Sequence, residues 1–171
     1  MSKSLSEAGK LIPTVECLIV HDGKVLLLKR SETSKNFPGY WIGPGGHIDD
    51  NEDVLTAAVR EVFEETGIKV DQSRITLKAV AIGNHQDRNE IYMVYYFLIH
   101  LDSKQEIVNS DEGKSSWIPL NEVLSMDKLF PPFKYYLEHA LDEKSGILYT
   151  NVVLRNLEIV EVISRNTDRN G

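Results

Sequence analysis

The segment from Gly43 to Gly67 constrains this chain more than any other. It opens with Gly43-Pro44-Gly45-Gly46. Three glycines in four residues mean that the backbone bends sharply or that something approaches it closely. A helix is expected over 52–66, with Asp50 or Asn51 as its cap and Glu52 and Asp53 in its first turn. Gly67 stands where a helix ends on a left-handed residue. Leu55, Ala58, Val59, Val62 and Thr66 form one packing stripe at helical spacing. At about 100° per residue, Glu61, Glu64 and Glu65 share an arc of roughly 100° beside that stripe. Positions three and four apart are neighbours on a helix, so three like charges there repel without a partner. A cluster of carboxylates on a rigid helix is a ligand set for Mg2+ or Mn2+, ions that commonly bridge carboxylates to phosphates. Arg60, one turn before Glu64, is placed to hold a carboxylate.

For Glu-rich helices in general, an acidic face that only meets solvent is the first expectation. Two features oppose it here: the arc follows a glycine-rich bend directly, and its spacing fits a known pattern. From Gly46 the chain reads Gly46, five residues, Glu52, seven residues, then Arg60-Glu61-Val62-Phe63-Glu64-Glu65-Thr66-Gly67-Ile68. Seven fixed residues at about 5–8% each coincide by chance roughly once in 10⁸ windows. This resembles the box of the Nudix hydrolase family at every fixed position. Trp41, Pro44, Gly45 and Gly46 resemble the family's lead-in. Residues 14–30 resemble its first hairpin, and Asp111-Glu112 with Trp117-Ile118-Pro119-Leu120 resembles its later acidic loop and strand. The match covers about residues 14–125. Residues 131–163 more loosely resemble the oxidised-purine nucleoside triphosphatase branch.

The resemblance implies an α+β Nudix fold, a mixed central sheet sandwiched between helices with the box as loop–helix–loop. It implies Mg2+ or Mn2+ held by Glu61, Glu64, Glu65, Glu112 and the Gly45 carbonyl. It implies Glu65 or Glu112 as general base, with Glu61 and Arg60 also in the catalytic group. Gly46, Glu52 and Gly67 carry the box's structure. The implied reaction is attack of water on a phosphorus of a nucleoside diphosphate linked to another group. A nucleoside triphosphate giving monophosphate and pyrophosphate leads. ADP-ribose, sugar-nucleotide or dinucleoside-polyphosphate hydrolysis stays open, as does a sensor that binds without cleaving. The marks of the NADH, ADP-ribose and coenzyme A subfamilies are absent. The acidic pair of the oxidised-purine branch is absent too, and Phe130, Pro131, Pro132 and Phe133 stand in its place. Arg30, Arg88 and Phe130 are the candidate substrate contacts, with Phe130 able to stack on a base. His85 and Lys29 are further candidates, though polar loop residues mostly meet water.

The rest of the chain is ordinary for one domain of 171 residues. Residues 14–20 and 24–29 are apolar runs around Asp22-Gly23, a hairpin signal. Residues 75–82 and 91–101 read as strands, the second apolar enough to be central. A short strand is expected near 116–118, helices at 121–127 and 133–143, and a hairpin from 147–153 and 156–163. The expected organisation is a flexible tail over 1–12, a single domain over 13–163 and a frayed end over 164–171. The formal charge of −7 argues against duplex nucleic acid or an anionic membrane as partner. Cys17, the single cysteine, is expected to pack in a strand. Met1 to Lys10 lacks the apolar core of a signal peptide, and no apolar run approaches the roughly 20 residues of a membrane helix. The expected compartment is the cytoplasm, and the expected partner a small nucleotide. A homodimer through the long apolar strand or the terminal hairpin is a further expectation.

Overall fold

Strand β1 (Lys10–His21) organises the sheet, because its two faces feed two different cores. In the computed structural model, which describes residues 9–142 and 144–167, Val15, Cys17 and Ile19 point to one face. Leu18 and Val20 point to the other. This is the two-residue alternation of a strand buried on both sides. Asp22 and Gly23 both adopt positive φ (45° and 69°), as a tight hairpin into β2 (Lys24–Arg30) requires.

The remaining strands are β3 (Trp41–Ile42), β4 (Gly45–His47), β5 (Ile75–His85), β6 (Glu90–His100), β7 (Gly113–Pro119), β8 (Leu148–Arg155) and β9 (Glu158–Asn166). The main path runs β3-β2-β1-β6-β5-β8-β9, with β4 on β1 and β7 on β2. Strands β1 and β6 are parallel, as are β5 and β8, so the sheet is mixed. Strand β6 lies in the middle of the path, as its apolar run requires. Helix α1 (Val54–Thr66) covers one face through Ala57, Ala58 and Val62. After the short α2 (Leu120–Val123), helix α3 (Pro131–Leu141) covers part of the other face through Phe133, Tyr136, Leu137 and Ala140. The expected α+β sandwich is therefore the observed architecture. Among the described residues no helix is long and apolar enough to cross a membrane.

Several boundaries differ from expectation. Helix α1 starts two residues later than expected, and its cap is Asp53, not Asp50 or Asn51. The Asp53 carboxylate accepts from the N–H groups of Leu55 and Thr56 at 2.8 and 2.9 Å, which leaves Glu52 outside the helix. Helix α3 starts earlier, at Pro131, since proline suits the first turn where its missing N–H costs nothing. Residues 10–12, expected as tail, pair with Glu90, Ile91 and Tyr92 of β6. Residues 164–166, expected to fray, pair with Thr150, Tyr149 and Leu148. Residues 1–8 and 168–171 of the expected tails lie outside the described residues.

Candidate active site

The glycine-rich bend lets the start of β4 approach β1 and α1 closely. None of Gly43, Gly45 and Gly46 has positive φ, so their smallness matters here, not their conformational freedom. A Cβ on Gly45 would lie 2.8 Å from Glu16 Cα, and one on Gly46 would lie 2.5 Å from the Glu61 carboxyl carbon. The N–H of Gly45 donates to Glu65 Oε2 at 2.8 Å. The three box glutamates do not share one solvent-facing arc. Glu65 is only 3% exposed, Glu61 is half-buried and Glu64 is exposed. Helix α1 is rotated so that its last turn tucks Glu65 under β4.

Arg60 organises the acidic side chains. Its Nη1 donates to Glu61 Oε1 at 2.8 Å and to Glu64 Oε2 at 3.2 Å. Its Nη2 donates to the His47 carbonyl at 2.9 Å, and Nε and Nη2 form a two-point contact with the Glu52 carboxylate. That pairing holds Glu52 below the usual carboxylate range. Glu52 Oε1 also accepts the Asp49 N–H at 2.9 Å, which shapes the turn into α1. Glu112, in the loop before β7, faces Arg30 at 3.5 Å (Nη1 to Oε2).

Burial, first, pushes the Glu65 carboxyl up to about 8. The Gly45 N–H opposes this, and the charges of Glu112 and Glu61 add to it. Burial also raises Glu61, against its bond to Arg60, with Glu64 and Glu112 contributing repulsion. Four carboxyl groups from α1 and the β7 loop thus sense one another. An oxygen-lined, mutually repelling set of this kind suits a hard divalent cation. Among the described residues no three of these side chains already converge as a ready metal cage. Arg60 draws Glu61 and Glu64, and Gly45 holds Glu65.

Of these groups Glu61 and Glu112 line a cleft of about 410 Å³, and Glu64 and Glu65 are not part of its lining. Arg30, Gly45 and Gly46 line it beside them. Its lining is also aromatic, with Phe37, His85, Tyr92, Phe130 and Tyr136. Of the candidate substrate contacts, Arg30 and Phe130 line the cleft and Arg88 does not. Arg88 instead lies over the outer Phe37 ring, 4.6 Å from its centroid, and donates to Asn36 Oδ1 at 3.0 Å. Arg30 Nε donates to the Asn36 carbonyl at 2.9 Å. The two arginines therefore pin the 31–39 loop. Phe130 packs on Phe37 at 4.5 Å, whereas Phe133 is fully buried core.

Two cleft residues were not legible as site residues. Glu16 is 5% exposed on the face of β1 that carries Leu18 and Val20 deeper in the core. Its Oε1 accepts from Gly43 N–H at 3.3 Å, and burial pushes its carboxyl up to about 8. The signal was a charge inside an alternating apolar run. Phe37 is buried with φ 50°, a conformation bulky residues rarely adopt. Nothing in the 31–39 composition points to it.

A family model described as the NUDIX domain matches residues 10–141. An uncharacterized Nudix hydrolase, YvcI, of Bacillus subtilis (strain 168) is 31% identical over 113 residues, 64% of this chain and 67% of the relative. The nucleoside triphosphatase NudI of Escherichia fergusonii is 30% identical over 125 residues, 67% of this chain and 86% of the relative. Among solved structures, a MutT protein from Bacillus halodurans superposes with a TM-score of 0.76 at 26% identity, covering 90% of this chain and 97% of its own.

Proposed function

This chain belongs to the NUDIX family and is a Nudix hydrolase, and from that premise we propose that it converts a nucleoside triphosphate and water to the monophosphate and pyrophosphate. The observation that carries the reading is the cleft itself. Glu61, Glu112 and Arg30 line it, with Glu65 bonded to the Gly45 that lines it as well, and the same cleft holds a buried aromatic cluster. A polyphosphate and a base need opposite surroundings, and this cleft offers both. The nucleoside triphosphatase activity named for NudI supports a triphosphate over other linked nucleotides.

Nudix hydrolases generally use divalent metals. In this chain Glu61, Glu64, Glu65, Glu112 and the Gly45 carbonyl would hold Mg2+ or Mn2+, which supplies positive charge for phosphate oxygens and acidifies water when bound. Arg60 positions Glu61 and Glu64 through the bonds described above. Glu65 or Glu112 accepts the proton of the attacking water. Arg30 binds a phosphate oxygen, and its bond to the Asn36 carbonyl fixes its direction. Phe130 stacks on the base. Arg88 acts on the substrate through Phe37 by holding that ring in place.

The test is a product panel with Mg2+. It includes ordinary and oxidised nucleoside triphosphates, ADP-ribose, sugar nucleotides and dinucleoside polyphosphates. Monophosphate and pyrophosphate in equal amounts from a triphosphate is the expected result. Cleavage confined to another member of the panel moves the substrate class and keeps the site. Cleavage of none overturns the reading.

A further inference from the structure

His85 ends β5 and lines the cleft beside Phe37 and Tyr92. Its side chain is 4% exposed overall. The ring sits between Phe37, at 5.6 Å, and Tyr92, at 5.2 Å. No hydrogen bond of either ring nitrogen to a described residue accompanies those ring contacts. The ring nitrogens are not among the sealed polar atoms of the core, and His85 lines the cleft, so a ligand seated there can supply the hydrogen-bond partner that the described residues do not. Burial, then the Arg88 charge, pushes the imidazole below its usual pKa. At neutral pH it is therefore uncharged, with one nitrogen donating and the other accepting.

The surroundings say what that partner is. Strand β5 carries Ala81 and Gly83 on the cleft face beside His85, so the floor there is low. Phe37, Phe130 and Tyr92 supply flat apolar surface around the gap. Among the described residues no carboxylate or guanidinium hydrogen-bonds the His85 ring, whose contacts are the Phe37 and Tyr92 rings. A flat heteroaromatic ring with polar atoms on its edge matches these aromatic surroundings of His85.

We infer that His85 reads the nucleobase, its ring nitrogens hydrogen-bonding the base edge while the neighbouring aromatic side chains hold the base plane. The inference rests on the nucleotide-hydrolase reading and names the base-selecting residue of the same cleft. It is a binding residue and takes no part in the chemical step.

The test is metal-free equilibrium binding of AMP, GMP, CMP, UMP and ribose 5-phosphate to the wild-type chain and to His85→Phe. Calorimetry and a circular-dichroism check of folding accompany each. Wild-type protein should bind at least one monophosphate about tenfold more tightly than ribose 5-phosphate. His85→Phe keeps the aromatic shape and should weaken the preferred base about tenfold, the worth of one ordinary hydrogen bond. The four bases should then fall within about threefold of one another. In wild-type protein labelled with nitrogen-15 at histidine, the His85 ring signals should shift with the preferred monophosphate and not with ribose 5-phosphate. That second measurement decides the matter if the variant does not fold. An unchanged base ranking in folded His85→Phe overturns the inference, as do unmoved His85 signals or a wild-type protein that binds no monophosphate. His85-dependent binding without hydrolysis of any triphosphate removes the proposed activity alone. Hydrolysis with His85-independent binding removes this inference alone.

Discussion

The backbone N–H of Gly45 donates to Glu65 Oε2 at 2.8 Å and so ties β4 to the last turn of α1. The bond crosses from the glycine-rich bend to the one box glutamate that is almost wholly buried. Glutamine at position 65 can accept the same N–H and fills the same volume without a charge. Glu65→Gln should therefore fold with an unchanged or raised Tm and lose about 10²–10⁴-fold in turnover. Glu64→Gln, at an exposed position, should also lose orders of magnitude in turnover without loss of stability. Initial rates with Mg2+ beside thermal melts check both. A variant with near-normal rate removes that glutamate from the machinery.

The direction of the Glu65 shift also fixes how cation binding responds to pH. In the metal-free protein Glu65 holds its proton up to about 8, and a ligand carboxylate must give that proton up. Mg2+ or Mn2+ affinity should rise between pH 6.5 and 8.5 and level off above, with proton release that shrinks over the same range. Calorimetry in buffers of different ionisation enthalpy measures both quantities. A chelator should abolish hydrolysis, and added Mg2+ should restore it.

Glu16 makes a separate prediction about stability. Its carboxyl is raised from the ordinary 4.5 to about 8, chiefly by burial. Between those values the folded chain keeps a proton that the unfolded chain releases. The folded state therefore binds more protons, and Glu16 makes stability fall as pH rises through that window. Below about 4.5 the contribution vanishes, and above about 8 the full cost is present. Glu16→Gln removes the slope. At pH 8.5 the metal-free variant should melt several degrees above wild type, and at pH 4.5 the two should nearly coincide. Equal melting curves at both values would show that Glu16 is solvated.

The contrast between Glu65 and Glu16 also shows what was legible in the sequence. The acidic cluster, the Gly67 stop and the Val62 stripe were readable because helical spacing is a local property. The tuck of Glu65 was not, because rotation of α1 depends on how closely β4 approaches, which the glycines permit but do not specify. Glu16 stood in a run read as apolar strand, and only the tertiary pairing of β1 with β6 turns it towards a cleft. The polar run 85–89 predicts a loop that includes His85. It is the last residue of β5, and its pairing with Glu90 gives it a cleft-facing place. Phe130 and Phe133 were indistinguishable by composition. Their position at the start of α3 sends one to the cleft and the other to the core.

Arg60 is a positioning residue whose loss should be felt twice. Its guanidinium bonds Glu52, Glu61, Glu64 and the His47 carbonyl. Arg60→Ala frees three carboxylates to repel one another and leaves the turn before α1 without its anchor. A fall in Tm of a few degrees should accompany a much larger fall in turnover. Raised ionic strength should recover part of the stability and little of the rate, since screening relieves repulsion but does not restore direction. Arg60→Lys keeps the charge but loses the planar fork, so its Tm should lie near wild type while its rate stays close to that of the alanine variant. A lysine variant with normal rate would show that Arg60 supplies charge alone.

Gly46 separates position from stability in the other direction. A Cβ there would stand 2.5 Å from the Glu61 carboxyl carbon, and Gly46 does not use a left-handed conformation. The clash involves the far end of a flexible side chain, so the backbone can stay and Glu61 must swing away. Gly46→Ala should thus cost little stability, about 1 kcal/mol or less. It should nevertheless lose at least about tenfold in turnover and weaken Mg2+ binding, because Glu61 is displaced from the neighbourhood of Glu65 and Glu112. Gly23→Ala is the comparison. Its φ is 69° and no described atom lies within 4 Å of the added carbon, so it should lower the Tm through backbone strain and leave the metal response unchanged. Measuring melts, rates and Mg2+ titrations on the pair tests whether the closeness of β4 to α1 serves the carboxylates. If Gly46→Ala keeps both full rate and full Mg2+ affinity, Glu61 does not depend on that contact, and the glycine at 46 is explained by packing alone.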